Sequence, residues 1–238
     1  MHDNDAMANV LLLHGLGGTA ATMQTLVDGL RALGHTTKAP TLPGHGTVEE
    51  DLETVGWSEW LAAAQSWPAD VIIGQSMGAS LALAVAARGD CRAVVAINPP
   101  AADPDAVDGL EWRQSRGHDW VDGPPLADGE VGYTRLPISA LLEMTNGVVA
   151  TDLGAVTCPV LLVTSALDDV VDPAGAEVIA ATVSGPVTRL TLAHSGHVAT
   201  LGPDVHALLD AIAKFIASSV SSPNHALEVA DTEAAGDF

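Results

Sequence analysis

The chain has 238 residues, 47% apolar and 16% charged, which is enough for one well-buried core and too apolar for a disordered protein. Its 9 basic and 30 acidic residues leave a formal charge of −21, which repels phosphate backbones and anionic membranes and argues against a nucleic-acid partner. The two cysteines, Cys91 and Cys158, lie in or beside apolar runs and read as buried free thiols rather than nucleophiles.

Residues 1–8 are polar and acidic, unlike a signal peptide, and are expected to be disordered. No apolar stretch approaches the ~20 residues that span a bilayer, so stable membrane insertion is not expected and a cytoplasmic location is. From there short β-branched runs alternate with Ala/Leu-rich helical patterns, the signature of a parallel sheet covered on both faces. In chain order the pattern predicts a strand at Val10–Leu13, a helix at Thr22–Leu33, a strand at Thr36–Ala39 and a helix at Ser58–Ser66. It continues with a strand at Val71–Gly74, a helix at Met77–Arg88 and a strand at Ala93–Ile97. The alternation stops from Pro99 to about Asp152, apart from a short helix at Ile138–Met144. An insertion of this length carrying Trp112, Trp120 and Tyr133 suits a cap over a pocket better than a surface excursion. The pattern resumes with a strand at Val160–Thr164, a helix at Pro173–Thr182, a strand at Val187–Leu192 and a helix at Pro203–Ser218. Residues 219–238 lack an apolar period and are expected to be a disordered tail, leaving one α/β domain over 9–218.

Chemistry concentrates at Gly74-Gln75-Ser76-Met77-Gly78, a G-x-S-x-G sequence that leaves a strand and enters an Ala-rich helix. A serine on so sharp a turn takes strained backbone angles that flanking glycines permit, and its hydroxyl stands clear of the sheet. The Met77 amide then opens a helix, where free N–H groups and the helix dipole favour a developing oxyanion. A serine hydroxyl needs a base, and an imidazole base needs a carboxylate to fix its tautomer. Both lie downstream, on loops that follow later strands. Asp168, Asp169 and Asp172 compete for the carboxylate role. Asp168 is placed to turn back toward the sheet edge, Asp169 to point away, and Asp172, before Pro173, to cap a helix. His197 is favoured as the base over His194, which sits nearer the strand end.

The glycine loop Leu13-His14-Gly15-Leu16-Gly17-Gly18 lets backbone approach a substrate, with the Leu16 amide as second oxyanion donor. The same loop also fits a dinucleotide fingerprint. The acid that fingerprint needs about 20 residues on is missing after Thr37-Lys38-Ala39, so no cofactor is implied. His14 and His45 lack the helical spacing and carboxylate partner of a metal site and read as loop braces, so no metal is implied either. Trp57 and Trp60 share a helix face and read as packing.

Leu11 to Gly15, Leu42-Pro43-Gly44-His45-Gly46, Gly74 to Gly78, Pro159 to Pro173 and Ser195-Gly196-His197-Val198 together resemble the α/β-hydrolases. The likeness runs from about Val10 to Ser218 and is strongest to small bacterial carboxylesterases and monoacylglycerol lipases, whose cap return segment resembles Tyr133 to Met144. It implies an α/β-hydrolase fold with a mostly parallel sheet of about six strands and a small cap. Ser76 would be the nucleophile, Asp168 the acid, His197 the base, and the Leu16 and Met77 amides the oxyanion hole. The substrate would be a small-molecule ester with a short or medium acyl chain, a monoacylglycerol among them. Thioesterase, lactonase and C–C hydrolase chemistry would use the same residues, and a non-catalytic binding protein would keep the same fold. With the glycine-loop strand so near residue 1, the extra N-terminal strands of larger members are not expected, and Leu16 stands where a large aromatic is often found after His-Gly.

Overall fold

A computed structural model describes residues 7–220 except 124, 127 and 128. Residues 1–6 and 221–238, most of the two segments expected to be disordered, lie outside it. Six strands form one sheet in the order β2-β1-β3-β4-β7-β8: β1 (Asn9–Leu13), β2 (Thr36–Lys38), β3 (Val71–Gln75), β4 (Ala93–Ile97), β7 (Val160–Ser165) and β8 (Val187–Leu192). All five pairings are parallel, and the strand ends fall within one residue of the apolar runs that predict them.

Helices cover both faces, which is why the central strands are apolar throughout instead of alternating. Every residue of β3 and β4 is buried. Leu11, Leu13, Ile72, Val94, Ala96 and Leu162 face one layer, with α2 (Trp57–Gln65), α3 (Met77–Ala86) and α6 (Ala174–Thr182). Val10, Leu12, Ile73, Val95, Ile97 and Leu161 face the other, with α1 (Gln24–Ala32) and α7 (Val205–Val220). All ten residues of α3 are buried, and its small side chains seat it directly on the sheet. Chain order reverses between β1 and β3, and such a switch point leaves a crevice at the carboxyl edge of a parallel sheet. Among the described residues no helix is long and apolar enough to cross a membrane.

Between β4 and β7 lie α4 (Pro104–Ser115), an antiparallel pair β5 (Trp120–Asp122) and β6 (Arg135–Pro137), and α5 (Ile138–Ala150). The short helix expected at Ile138–Met144 therefore runs on for six residues. Arg135 ties this segment down: it pairs with Glu49 and Glu50 of a 3-10 turn and lies 4.4 Å from the Trp120 ring centre. On the other side α5 rests on α2. A Cβ added to Gly147 would sit 2.0 Å from the Trp57 ring, so only glycine lets the indole lie against this helix. Gly147→Ala should force the two helices apart at a cost of about 1–3 kcal/mol, read as a fall of several degrees in the thermal midpoint. An unchanged midpoint would show that the helices do not depend on this contact.

Candidate active site

β3 ends at Gln75 and α3 starts at Met77, so Ser76 alone reverses the chain direction. It has φ 55° and ψ −122°, left-handed backbone that strains an L residue. The surroundings impose it. Ser76 N donates to Ile97 O at 2.9 Å, and Ser76 O accepts from Ala79 N at 2.9 Å. A Cβ on Gly74 would lie 2.0 Å from Gly78 O, and one on Gly78 would lie 2.2 Å from Leu13 O. Both glycines are needed because backbone crosses backbone at this turn. Met77 is the first residue of its helix, so its amide has no partner within the helix.

The loop after β7 carries Asp168, and the loop after β8 carries His197. Asp168 Oδ2 and Oδ1 lie 2.9 and 3.1 Å from His197 Nδ1, with the two side chains 3% and 12% exposed. The amides of Val170 and Val171 donate to the same carboxylate at 2.9 and 3.0 Å. Burial pushes the Asp168 carboxyl up, but the hydrogen bonds from His197 and from these amides outweigh it and leave its pKa below the usual carboxylate range. An ionised carboxylate only accepts, so Nδ1 carries the ring proton and donates it to Asp168 in a hydrogen bond, which leaves the lone pair on Nε2.

The competing residues do other work. Asp172 accepts from Ala174 N at the start of α6. His194, 77% exposed, pairs with Asp204. Asp169 has a place in the lining of the cavity described below and, among the hydrogen bonds of the described residues, none to His197.

Sequence reasoning missed Asn98, at the carboxyl end of β4. Its amide donates to His197 O at 2.8 Å and to Ser165 Oγ at 2.9 Å, so it ties the histidine loop to β7. Asn98 has φ 46°, a conformation asparagine tolerates better than most residues. The signal was present: a polar residue ending an apolar strand, next to Pro99-Pro100. Gln75 adds a second tie, accepting from Thr200 Oγ1 at 3.0 Å.

The glycine loop is set by His14, which is fully buried. Leu42 N donates to its Nε2 at 3.0 Å, so Nδ1 carries the proton and donates to Gly15 O at 2.8 Å. Gly18 N donates to the same oxygen at 3.1 Å. Gly15 C=O and Leu16 N–H belong to one planar trans peptide, so fixing the carbonyl sends the Leu16 amide the opposite way. Among the described residues that amide has no backbone acceptor. His45 donates to Pro43 O, so both histidines brace loops as expected. Tyr133 clamps the loops from above: its amide donates to Gly17 O at 2.8 Å, its hydroxyl to Gly44 O at 3.1 Å, and its ring stacks on His45.

Ser76, His197, Gly15 and Leu16 all open onto one cavity of about 540 Å³. Leu126, Leu136, Leu141, Met144 and Leu167 supply apolar walls, mostly from the segment between β4 and β7. Its charged lining residues, among those described, are Glu130 and Asp169, with no lysine or arginine.

A parallel sheet that sets a strained serine, a histidine and a carboxylate on its carboxyl edge is the framework of a hydrolase. Comparison with known proteins agrees. Residues 10–209 match the alpha/beta hydrolase family, and the chain belongs to it. A thermostable monoacylglycerol lipase of Bacillus sp. (strain H-257) is 30% identical over 227 residues, covering 87% of this chain and 90% of the relative. A structure reported with the metagenome-derived lipolytic enzymes LipS and LipT is 28% identical with a TM-score of 0.80, covering 88% of this chain and 93% of the other. The monoacylglycerol lipase of Paleococcus ferrophilus shares the fold at 17% identity and a TM-score of 0.69, covering 89% and 94%.

Burial lowers the His14 pKa to about 3, helped by the neighbouring His45 and partly opposed by the Gly15 carbonyl. Between pH 6.5 and about 3 the unfolded chain therefore takes up a proton that native His14 refuses, so stability falls as pH falls. In urea titrations across this window, His14→Gln should flatten the pH dependence by roughly 1 kcal/mol per pH unit. Equal slopes in both proteins would refute the buried neutral imidazole.

Proposed function

We propose that this chain is a carboxylic ester hydrolase that acts through an acyl-enzyme on Ser76. The observation that carries the reading is the placement of Ser76 on a strained turn in the same cavity as a histidine whose Nδ1 is held by a buried carboxylate. His197 Nε2 takes the Ser76 proton as Oγ attacks the ester carbonyl. The amides of Leu16 and Met77 stabilise the oxyanion, and His197 returns the proton to the departing alcohol. Water, deprotonated by the same ring, then releases the acid. Asp168 stays ionised throughout and steadies the imidazolium.

The segment over residues 99–152 acts as the cap and sets the substrate. Its leucines and Met144 suit a short or medium acyl chain, and an acid-only lining suits a neutral alcohol such as glycerol. The similarity to a monoacylglycerol lipase supports the same choice. Thioesters on phosphate-bearing carriers fit poorly, since phosphates would face Glu130 and Asp169 in a chain of net charge −21.

On a p-nitrophenyl ester, Ser76→Ala should lower kcat by roughly 10⁴-fold or more, and adding His197→Ala should lower it little further because the set works as a unit. Retained turnover in Ser76→Ala would sink the assignment. In a substrate panel, monoacylglycerols and neutral esters should exceed acyl-coenzyme A thioesters in kcat/KM. The reverse order would overturn the substrate class.

A further inference from the structure

The two cysteines stand at the sheet edge opposite Ser76, at the amino ends of neighbouring strands. β4 and β7 pair in parallel with Val94 opposite Val160, so counting back sets Arg92 opposite Cys158, with Cys91 next to it. A diagonal neighbour on strands about 4.8 Å apart has its Cα roughly 6 Å away, inside the ~4.4–6.8 Å that a disulfide spans.

Direction agrees with distance. Cys158 continues the alternation of Val160 and Leu162 and packs against the α2 and α3 layer. Arg92 turns to the other face, where its guanidinium donates to Val220 O of α7 at 2.7 Å. The bend at Arg92 therefore leaves Cys91 on the Cys158 side, packed against the same cluster. Both cysteines are free and only partly buried. They also touch. The two thiols perturb each other, which pushes the Cys91 pKa up and holds that of Cys158 down, making Cys158 the more ready thiolate.

We propose that Cys91 and Cys158 form a redox-responsive pair that closes to a disulfide between β4 and β7 when a low-molecular-weight disulfide, such as glutathione disulfide, oxidises it. The Cys158 thiolate attacks one sulfur of the small disulfide, forms a mixed disulfide and expels one thiolate. Cys91 then loses its proton, attacks Cys158 Sγ and expels the second. Two protein thiols become one cystine, the small disulfide is reduced to two thiols, and the two protons pass to the thiolates released. In a reducing compartment the pair stays open, and oxidation closes it. Closure ties together the two ends of the segment that holds β4 and the whole cavity roof, so it stabilises that segment without touching the Ser76 edge.

The test uses the full chain, treated with glutathione disulfide and then examined by thiol titration and peptide mapping. The expected result is loss of both thiols, a cross-linked peptide joining Cys91 to Cys158, and a thermal midpoint raised by roughly 5 °C and restored by dithiothreitol. Cys91→Ser should instead hold glutathione on Cys158, since no second thiol resolves it, while hydrolysing a p-nitrophenyl ester as the parent does. Two persisting thiols, a lasting glutathione adduct on the unaltered chain, or a cross-link only between chains would each overturn the proposal.

Discussion

Everything at this site depends on one crowded crossing of backbone. Gly78 passes so near Leu13 O, and Gly74 so near Gly78 O, that no side chain fits at either position. That closeness forces the single residue between strand and helix into left-handed geometry. The strain is held by packing it does not share: the apolar α3 beneath, and the ladder from Ser76 N to Ile97 O. A serine hydroxyl raised above the sheet and a helix amide beside it are two results of the same turn.

The remaining parts of the site are fixed by fully buried or nearly buried polar contacts, where a hydrogen bond is hard to exchange for water. His14 spends both ring nitrogens on Gly15 O and Leu42 N and so sets one peptide plane. Asn98 bridges β4, β7 and the histidine loop, which otherwise are separate excursions from the sheet edge. Tyr133 reaches down from the segment after β4 and holds the carbonyls of Gly17 and Gly44. Loops from five strands are thereby locked to one another, and the leucine-rich roof is locked to them.

The strands and sheet-covering helices were legible because burial on both faces demands continuous β-branched runs separated by helical patterns, as Val71–Gln75 and Val160–Ser165 show. The motif around Ser76 was legible for a steric reason, since only glycine survives at positions 74 and 78. The roof was harder. α4 has no buried residue and so no apolar period, although Asp103 capping Pro104-Asp105-Ala106 marked its start. β5 and β6 have three residues each, too few for alternation to register. The roles of Gln75, Asn98 and Tyr133 depend on partners 125, 99 and 89 residues away along the chain, Thr200, His197 and Gly44, and local patterns do not name such partners.

The central claim is that the acyl group is carried by the strained serine. Its most direct measurement is covalent trapping: the full chain is treated with a fluorophosphonate, digested, and the adduct located by mass spectrometry while ester turnover is followed. The account predicts one adduct, on Ser76, with turnover lost in proportion to labelling. Full labelling of Ser76 with turnover intact, or loss of turnover with the adduct on another residue, would contradict it.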